Sequence, residues 1–205
     1  MRKETDALGE MLLPDEVYYG VQAERARQNC NISLLTIGDY PEYIRAVAEI
    51  KKAAALANKE IGALDGKKAD AIVKAADEVI AGKMKDQFPI CIFRGGGGTP
   101  LNMNLNEVIA NRANEIITGK KGYDEVDPNT HVNMGQSTND VIPTAMKMVM
   151  YRMIGKLVDT VPVLEKALDD KVNEFKDVVK LGRTCLNDAV PMTLGQEFSG
   201  YRDMI

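Results

Sequence analysis

The sequence is poor in the groups that mark most other functional classes. Its 205 residues contain one histidine and three cysteines. Cys30, Cys91 and Cys185 are odd in number, widely spaced and never part of a Cys-x-x-Cys pair, which argues against a structural zinc site and against a disulfide framework. Reduced thiols, as in a cytoplasmic protein, are expected. The net charge is only −4, with Lys and Arg scattered among Asp and Glu, so no basic stripe can neutralise a phosphate backbone and nucleic acid is not an expected partner. No apolar run of signal-peptide length follows the N-terminal Met1-Arg-Lys-Glu-Thr-Asp6. Charges interrupt every later hydrophobic stretch before the roughly 18 residues that a membrane span requires, so no membrane partner is expected either. No nucleophile is paired with a base, and the glycine run is not followed by the Gly-Lys-Ser/Thr of a Walker-type phosphate loop. No cofactor and no metal is expected.

What the chain does have is helical periodicity. With 45% apolar residues it can build one sizeable core or two modest ones. Residues 1 to about 40 read as irregular, broken by Gly9, Pro14, Gly20, Gly38 and Pro41. Tyr43, Val47, Ile50, Ala54 and Ala57 then recur at helical spacing to about Glu60, and a second helix spans Lys68–Ala81. Phe88 to Phe93 reads as a short extended segment feeding the glycines, after which Asn104 or Asn106 can cap a helix that Gly119 closes. Gly122 to Asn133 reads as a loop. The longest period runs from Asp140 to about Lys176, with Pro143 in its first turn and Pro162 inside, where it should bend the helix. A single helix of that length, roughly 50 Å at 1.5 Å per residue, needs partner helices and implies a bundle completed by other chain. Thr193-Leu-Gly-Gln196 is a capping box opening a last helix, and the chain ends at Ile205 after barely three turns, the pattern of an N-terminal part of a longer protein.

Three polar segments interrupt this helical frame: Gly95 to Glu107, Gly135 to Asp140, and Gly182 to Glu197. All three offer hydroxyls, carboxamides and glycine-freed N–H groups, the equipment for gripping a small anion. Four consecutive glycines allow successive N–H groups to converge, and Thr99 adds a hydroxyl at their exit, although a flexible surface loop would read the same way. Asn102, Asn104 and Asn106 alternate as donors would on one face of an extended segment or turn. Ser137-Thr138-Asn139-Asp140 is an N-terminal cap for the long helix, and the free N–H groups and positive dipole end there also favour a bound carboxylate. Arg183 reads as an ion-pair partner, Cys185 as a small packed residue and His131 as a hydrogen-bonding loop residue.

On these segments the chain resembles the aspartase/fumarase superfamily. The likeness runs through Leu13-Pro-Asp-Glu-Val-Tyr-Tyr-Gly-Val21, Lys51-Lys-Ala-Ala-Ala-Leu-Ala-Asn-Lys-Glu60, Asp86-Gln-Phe-Pro89, Asn102-Met-Asn-x-Asn-Glu107 and Thr193-Leu-Gly-Gln-Glu197. Within the superfamily it is most similar to the aspartate ammonia-lyases. Class II fumarases, the alternative, usually read Gly-Ser-Gly-Thr, Gln-Ser-Ser-Asn-Asp and Asp-Ala-Thr-Pro-Leu-Thr where this chain has Gly96-Gly-Gly-Thr99, Gln136-Ser-Thr-Asn-Asp140 and Asp188-Ala-Val-Pro-Met-Thr193. The loop Val126 to His131 also lacks the His and second Asp of the fumarases' secondary dicarboxylate site.

The resemblance implies a mainly α fold: a small mixed N-terminal lyase domain over 1–139, then the first long helices of a truncated central helical bundle over 140–205. It implies reversible elimination of ammonia from L-aspartate to fumarate, through a dianionic aci-carboxylate that fixed donors stabilise. By motif position Thr99, Ser137 and Thr138 would hold that carboxylate, and Asn139 and Thr184 would contact the amino group and the other carboxylate. Cys185 stands where the family usually has His or Gln, whose hydrogen bonds a thiol cannot replace. The family's base is a serine in a Gly-Ser-Ser-x-Met-Pro loop, accompanied by a Lys and an Asn, and that loop is not in these residues. No catalytic residue is therefore expected within 1–205, and these residues alone should be inactive. A homotetramer, each active site drawing on three subunits, is implied as well.

Overall fold

The computed structural model of the chain describes residues 1–93 and 95–205. It is mainly α, with seven α-helices and two antiparallel two-stranded hairpins among the described residues. Two compact units divide it, Met1–Val149 and Met150–Ile205.

In the first unit, strands β1 (Arg2–Asp6) and β2 (Gly9–Leu13) form a hairpin where the sequence reads as irregular. Its strands bury only Glu4 and Leu13, so no apolar alternation marks them. Polar contacts hold the hairpin instead: the Arg2 guanidinium donates to the carbonyls of Pro14, Val17 and Tyr19, and Asp6 accepts the N–H of Leu8 inside the turn. Helix α1 (Val21–Asn29) follows.

Helices α2 (Pro41–Glu60) and α3 (Gly66–Ile80) lie where the periodicity puts them. Their facing stripes are small, with Ala48 and Ala55 on α2 and Ala69, Ala75 and Ala76 on α3 all buried. Small side chains let two helix axes approach closely, and Ile44, Val47, Ile72 and Val79 fill what remains. The Asp65 side chain accepts the Lys68 N–H and so caps α3. The expected extended segment narrows to one bridge, Thr36 with Cys91.

Helix α4 (Thr99–Thr118) begins earlier than expected and corrects the role of the asparagines. Gly98, at φ +90°, turns the chain and Pro100 occupies the first turn, so the helix starts at Thr99 without an Asn cap. Asn102, Asn104 and Asn106 are therefore inside the helix and buried, and at 100° per residue 102 and 106 share a face while 104 lies opposite. Residues Pro128–Val132, expected as loop, make one π-helical turn capped by Asp127, which accepts the N–H groups of Asn129 and Thr130.

The single long helix also needs correction. Helix α5 (Thr138–Val158) ends before Thr160, whose N–H and hydroxyl both donate to the Leu157 carbonyl. Helix α6 (Val161–Glu174) then starts anew, with Pro162 in its first turn, where the missing N–H disrupts nothing. Pro162 therefore starts a helix and does not bend one.

In the second unit the segment expected to be irregular is a hairpin of β3 (Val179–Thr184) and β4 (Asn187–Thr193). Helix α7 (Leu194–Asp203) opens with the predicted capping box: Thr193 Oγ1 accepts the Gln196 N–H and Gln196 Oε1 accepts the Thr193 N–H. Gly195 sits so close to α6 that a Cβ would lie 2.7 Å from the Val172 carbonyl oxygen. Met150, Tyr151, Met153, Ile154, Leu157 and Val158 are all exposed along the end of α5.

Candidate functional site

The glycine segment and the start of α5 meet within the first unit. Gly96, Gly97 and Gly98 all have positive φ, a run that only glycine adopts at little cost. The turn they make closes with Thr99 N–H to the Gly96 carbonyl at 3.0 Å, and the Gly98 carbonyl then accepts the first helical bond from Asn102 N–H, also at 3.0 Å. Gly98 packs against Ile142 of α5, so tightly that a Cβ there would be 2.9 Å from Ile142 Cγ1. The first turns of α4 and α5 are thereby apposed, and Thr99 lies exposed at this junction.

Ser137 caps α5. Its carbonyl accepts the N–H groups of Asp140 and Val141, and its hydroxyl accepts the N–H of Asn139 at 3.1 Å. Thr138 is half-buried, and its hydroxyl oxygen accepts from the Asn102 amide at 3.2 Å, which ties α4 directly to the head of α5. An accepting Thr hydroxyl keeps its own proton available to a ligand. With the positive dipole end of the helix start, the arrangement suits a carboxylate.

Behind Thr138 lies a network that the sequence reading missed. Lys51 of α2 is fully buried. Its ammonium donates to Asn133 Oδ1 at 2.9 Å and to Gln136 Oε1 at 3.0 Å. Asn133 Oδ1 accepts in addition from the amides of Asn102 at 3.1 Å and Asn106 at 3.3 Å. Burial alone pushes the Lys51 amine down to about 7. The signal was present: Lys51 lies on the stripe of Ile44, Ala48 and Ala55, where a solvated lysine has no place.

Glu107, at the end of the segment that the glycines open, has a structural role. Its carboxylate accepts the N–H groups of Gly20, Gln22 and Ala23 at 2.8–3.0 Å, anchoring the N-terminus of α1. Burial pushes its carboxyl up to about 7, the nearby Glu4 charge adds to this, and the three N–H groups oppose it. Asn104 ties α4 to the Gln87 carbonyl. His131 Nδ1 accepts the Asp127 N–H at 2.9 Å, a loop hydrogen bond, and its pKa is lowered chiefly by burial.

Thr184 and Cys185 belong to the second unit. Both are exposed at the tip of the β3–β4 hairpin, where Cys185 and Leu186 form the two-residue turn at φ 50° and 65°. That turn normally takes Asn-Gly, so Leu186 in particular carries backbone strain. Arg183 pairs with Asp188 at 3.7 Å on the same hairpin. Within the first unit the structure thus draws together the segments bearing Thr99, Ser137, Thr138 and Asn139.

Comparison with known proteins gives this geometry a family. The profile of a family described as lyase matches residues 9–205. The chain belongs to that lyase family. It is 50% identical over 205 residues to a class II fumarate hydratase of Halobacterium salinarum, covering 100% of this chain and 43% of that protein. It is 48% identical over 206 residues to an aspartate ammonia-lyase of a Bacillus species, covering 100% of this chain and 44% of the relative. Among solved structures, a fumarate lyase:delta crystallin of Brucella melitensis superposes with a TM-score of 0.83 at 44% identity, covering 100% of this chain and 46% of that one. The chain spans less than half the length of these lyases. Membership of the aspartase/fumarase group and the mainly α fold are as the sequence motifs imply, while overall identity does not separate ammonia-lyase from hydratase. No described helix is long and apolar enough to cross a membrane. Among the described residues no group of three or more His, Cys, Asp or Glu could hold a metal ion.

Proposed function

We propose that the chain is the N-terminal, ligand-holding part of an aspartate ammonia-lyase, which eliminates ammonia reversibly from L-aspartate to give fumarate. The observation that carries this reading is the Thr138 hydroxyl at the head of α5, held by Asn102 so that its proton is free for a carboxylate. Thr99, Ser137 and Thr138 hold the carboxylate on which negative charge accumulates when the adjacent carbon is deprotonated, and fixed donors at that position lower the barrier. Asn139 and Thr184 are assigned to the rest of the substrate by motif position, and Cys185 stands at a further substrate position where its thiol does not supply the hydrogen bonds of the usual His or Gln. The proton-abstracting serine is supplied from outside residues 1–205, so these residues alone are expected to be inactive.

The choice of aspartate rests on Gly96-Gly-Gly-Thr99, Thr138 and Val190-Pro-Met192, each a departure from the fumarase pattern. A class II fumarate hydratase is the second reading, favoured by the 50% identical relative. The domain division at residue 139/140, a cytoplasmic location and a homotetramer that covers the exposed Met150 to Val158 flank belong to the same proposal. The test is to supply the full-length protein with L-aspartate and with fumarate, and to follow ammonia and malate. Ammonia release from aspartate supports the reading; malate formation from fumarate without ammonia release from aspartate rejects it in favour of the hydratase.

A further inference from the structure

Among the described residues Lys51 has no carboxylate partner. Its ammonium donates to Asn133 and Gln136 in the segment before α5, and Asn102 and Asn106 of α4 donate to the same Asn133 oxygen, all four being neutral amides. A buried cation in such surroundings is costly, and burial is the whole cause of its lowered pKa. Its position nevertheless determines the direction of every bond around it. An ammonium can only donate, so Asn133 must turn its oxygen toward Lys51. That oxygen in turn requires the NH2 group, and not the oxygen, of Asn102 to face it. The same NH2 group reaches Thr138 Oγ1, which therefore accepts and keeps its own proton for whatever lies beyond. The arrangement has a cost: the buried oxygens of Asn102 and Asn106 have no hydrogen-bond partner among the described residues. Flipping Asn102 would give its oxygen a hydroxyl donor in Thr138, yet would set it against the Asn133 oxygen. The orphaned Asn102 oxygen is what a network oriented from the Lys51 end must tolerate, although the Asn104 oxygen, outside that network, has no partner either.

We propose that Lys51 is a positioning residue that acts through Asn133 and Asn102 to aim the Thr138 hydroxyl proton at a dianionic ligand, and that its ammonium is the buried counter-charge to that ligand. Lys51 does not touch the substrate. The inference rests on the proposed dicarboxylate site and adds to it the source of its hydrogen-bond polarity and of its positive potential. A bound dianion stabilises the protonated amine, so binding above pH 7 draws a proton onto Lys51, and each unit by which the ligand raises that pKa is about tenfold in the affinity of the protonated form over the neutral one.

The experiment is a double-mutant cycle on the full-length protein with succinate, a dicarboxylate that cannot react. Affinity is measured by titration calorimetry at pH 8 in buffers of different ionisation enthalpy. Lys51→Met and Thr138→Val are each expected to weaken succinate binding roughly tenfold or more. The double variant is expected to lose less than the product of the two single losses, because the part of the Lys51 effect that acts through Thr138 is already absent in Thr138→Val. Wild type is expected to take up protons on binding, and Lys51→Met to lose this uptake. Multiplicative losses in the double variant overturn the proposal, as does unchanged proton uptake in a folded Lys51→Met. Should Lys51→Met fail to fold, the wild-type measurement still decides, since binding without proton uptake at pH 8 overturns the counter-charge. Wild type that does not bind succinate at all rejects the dicarboxylate site itself, a separable outcome.

Discussion

Replacing Gly98 by alanine tests the junction on which the site depends. Gly98 has φ +90°, and the ideal Cβ built there lies 2.9, 3.2 and 3.3 Å from Cγ1, Cγ2 and Cδ1 of Ile142. Two separate costs follow. Left-handed backbone in an L-residue costs roughly 1–2 kcal/mol, and forcing a methyl into a filled contact typically costs a further 1–3 kcal/mol. Ile142 cannot swing its γ-carbons aside, because it is β-branched and fixed on a helix. Gly98→Ala should therefore destabilise the protein by roughly 2–5 kcal/mol in urea unfolding, on the scale of those two principles. In an Ile142→Ala background the packing cost vanishes while the backbone cost stays, so the same substitution should cost only about 1–2 kcal/mol. Equal costs in both backgrounds would show that Gly98 and Ile142 are not in contact, and a neutral Gly98→Ala would refute the junction outright.

Other substitutions address the network and the site. Because Lys51 has a folded-state pKa of about 7 against an ordinary 10.5, the unfolded chain binds more protons between those values, and stability should rise with pH across that window. The slope contributed is at most about 1.4 kcal/mol per pH unit and should be absent from urea curves of Lys51→Met. Glu107 has the opposite sign: its carboxyl is raised to about 7 from 4.5, so its contribution to stability declines as pH rises from 4.5 toward 7. Glu107→Gln can accept from only one side and leaves at least one of the Gly20, Gln22 and Ala23 N–H groups orphaned, a loss of about 1–3 kcal/mol measurable by denaturation. Thr138→Ala in the full-length protein should lower kcat by roughly 10–1000-fold, the signature of a lost transition-state donor, alongside a stability loss of about 1–3 kcal/mol from the orphaned Asn102 amide.

The sequence was most informative where helices pack on one face. The period of α2 and α3 and the Thr193 and Gln196 capping box are local patterns that tertiary contacts did not override, whereas Pro143, expected in the first turn of α5, lies inside that helix because it begins at Thr138. The hairpins were hidden for a physical reason. Strands β1 and β2 are held by Arg2 and Glu4 and have no apolar alternation, and β3–β4 is almost wholly exposed, so neither has a period to read. The Asn-x-Asn-x-Asn run has a period of two, the period of an extended segment. Inside α4 the same run becomes one pair facing Asn133 and a single residue facing Gln87. The glycine run and the helix-start hydroxyls are legible as local patterns, while the ligand roles of Thr99, Ser137 and Thr138 come from the family motifs and stand as part of the proposal. Lys51 was not singled out, since what it does depends on Asn133, 82 residues away in sequence.

The central claim is that the head of α5 grips a substrate carboxylate, and a crystal structure of the full-length protein with succinate bound tests it most directly. The account predicts carboxylate oxygens within about 2.6–3.2 Å of the Thr138 hydroxyl oxygen and of donors on Ser137 or Thr99, with the Asn102 amide still donating to Thr138. Succinate bound elsewhere, with Thr138 Oγ1 facing only protein, would contradict it.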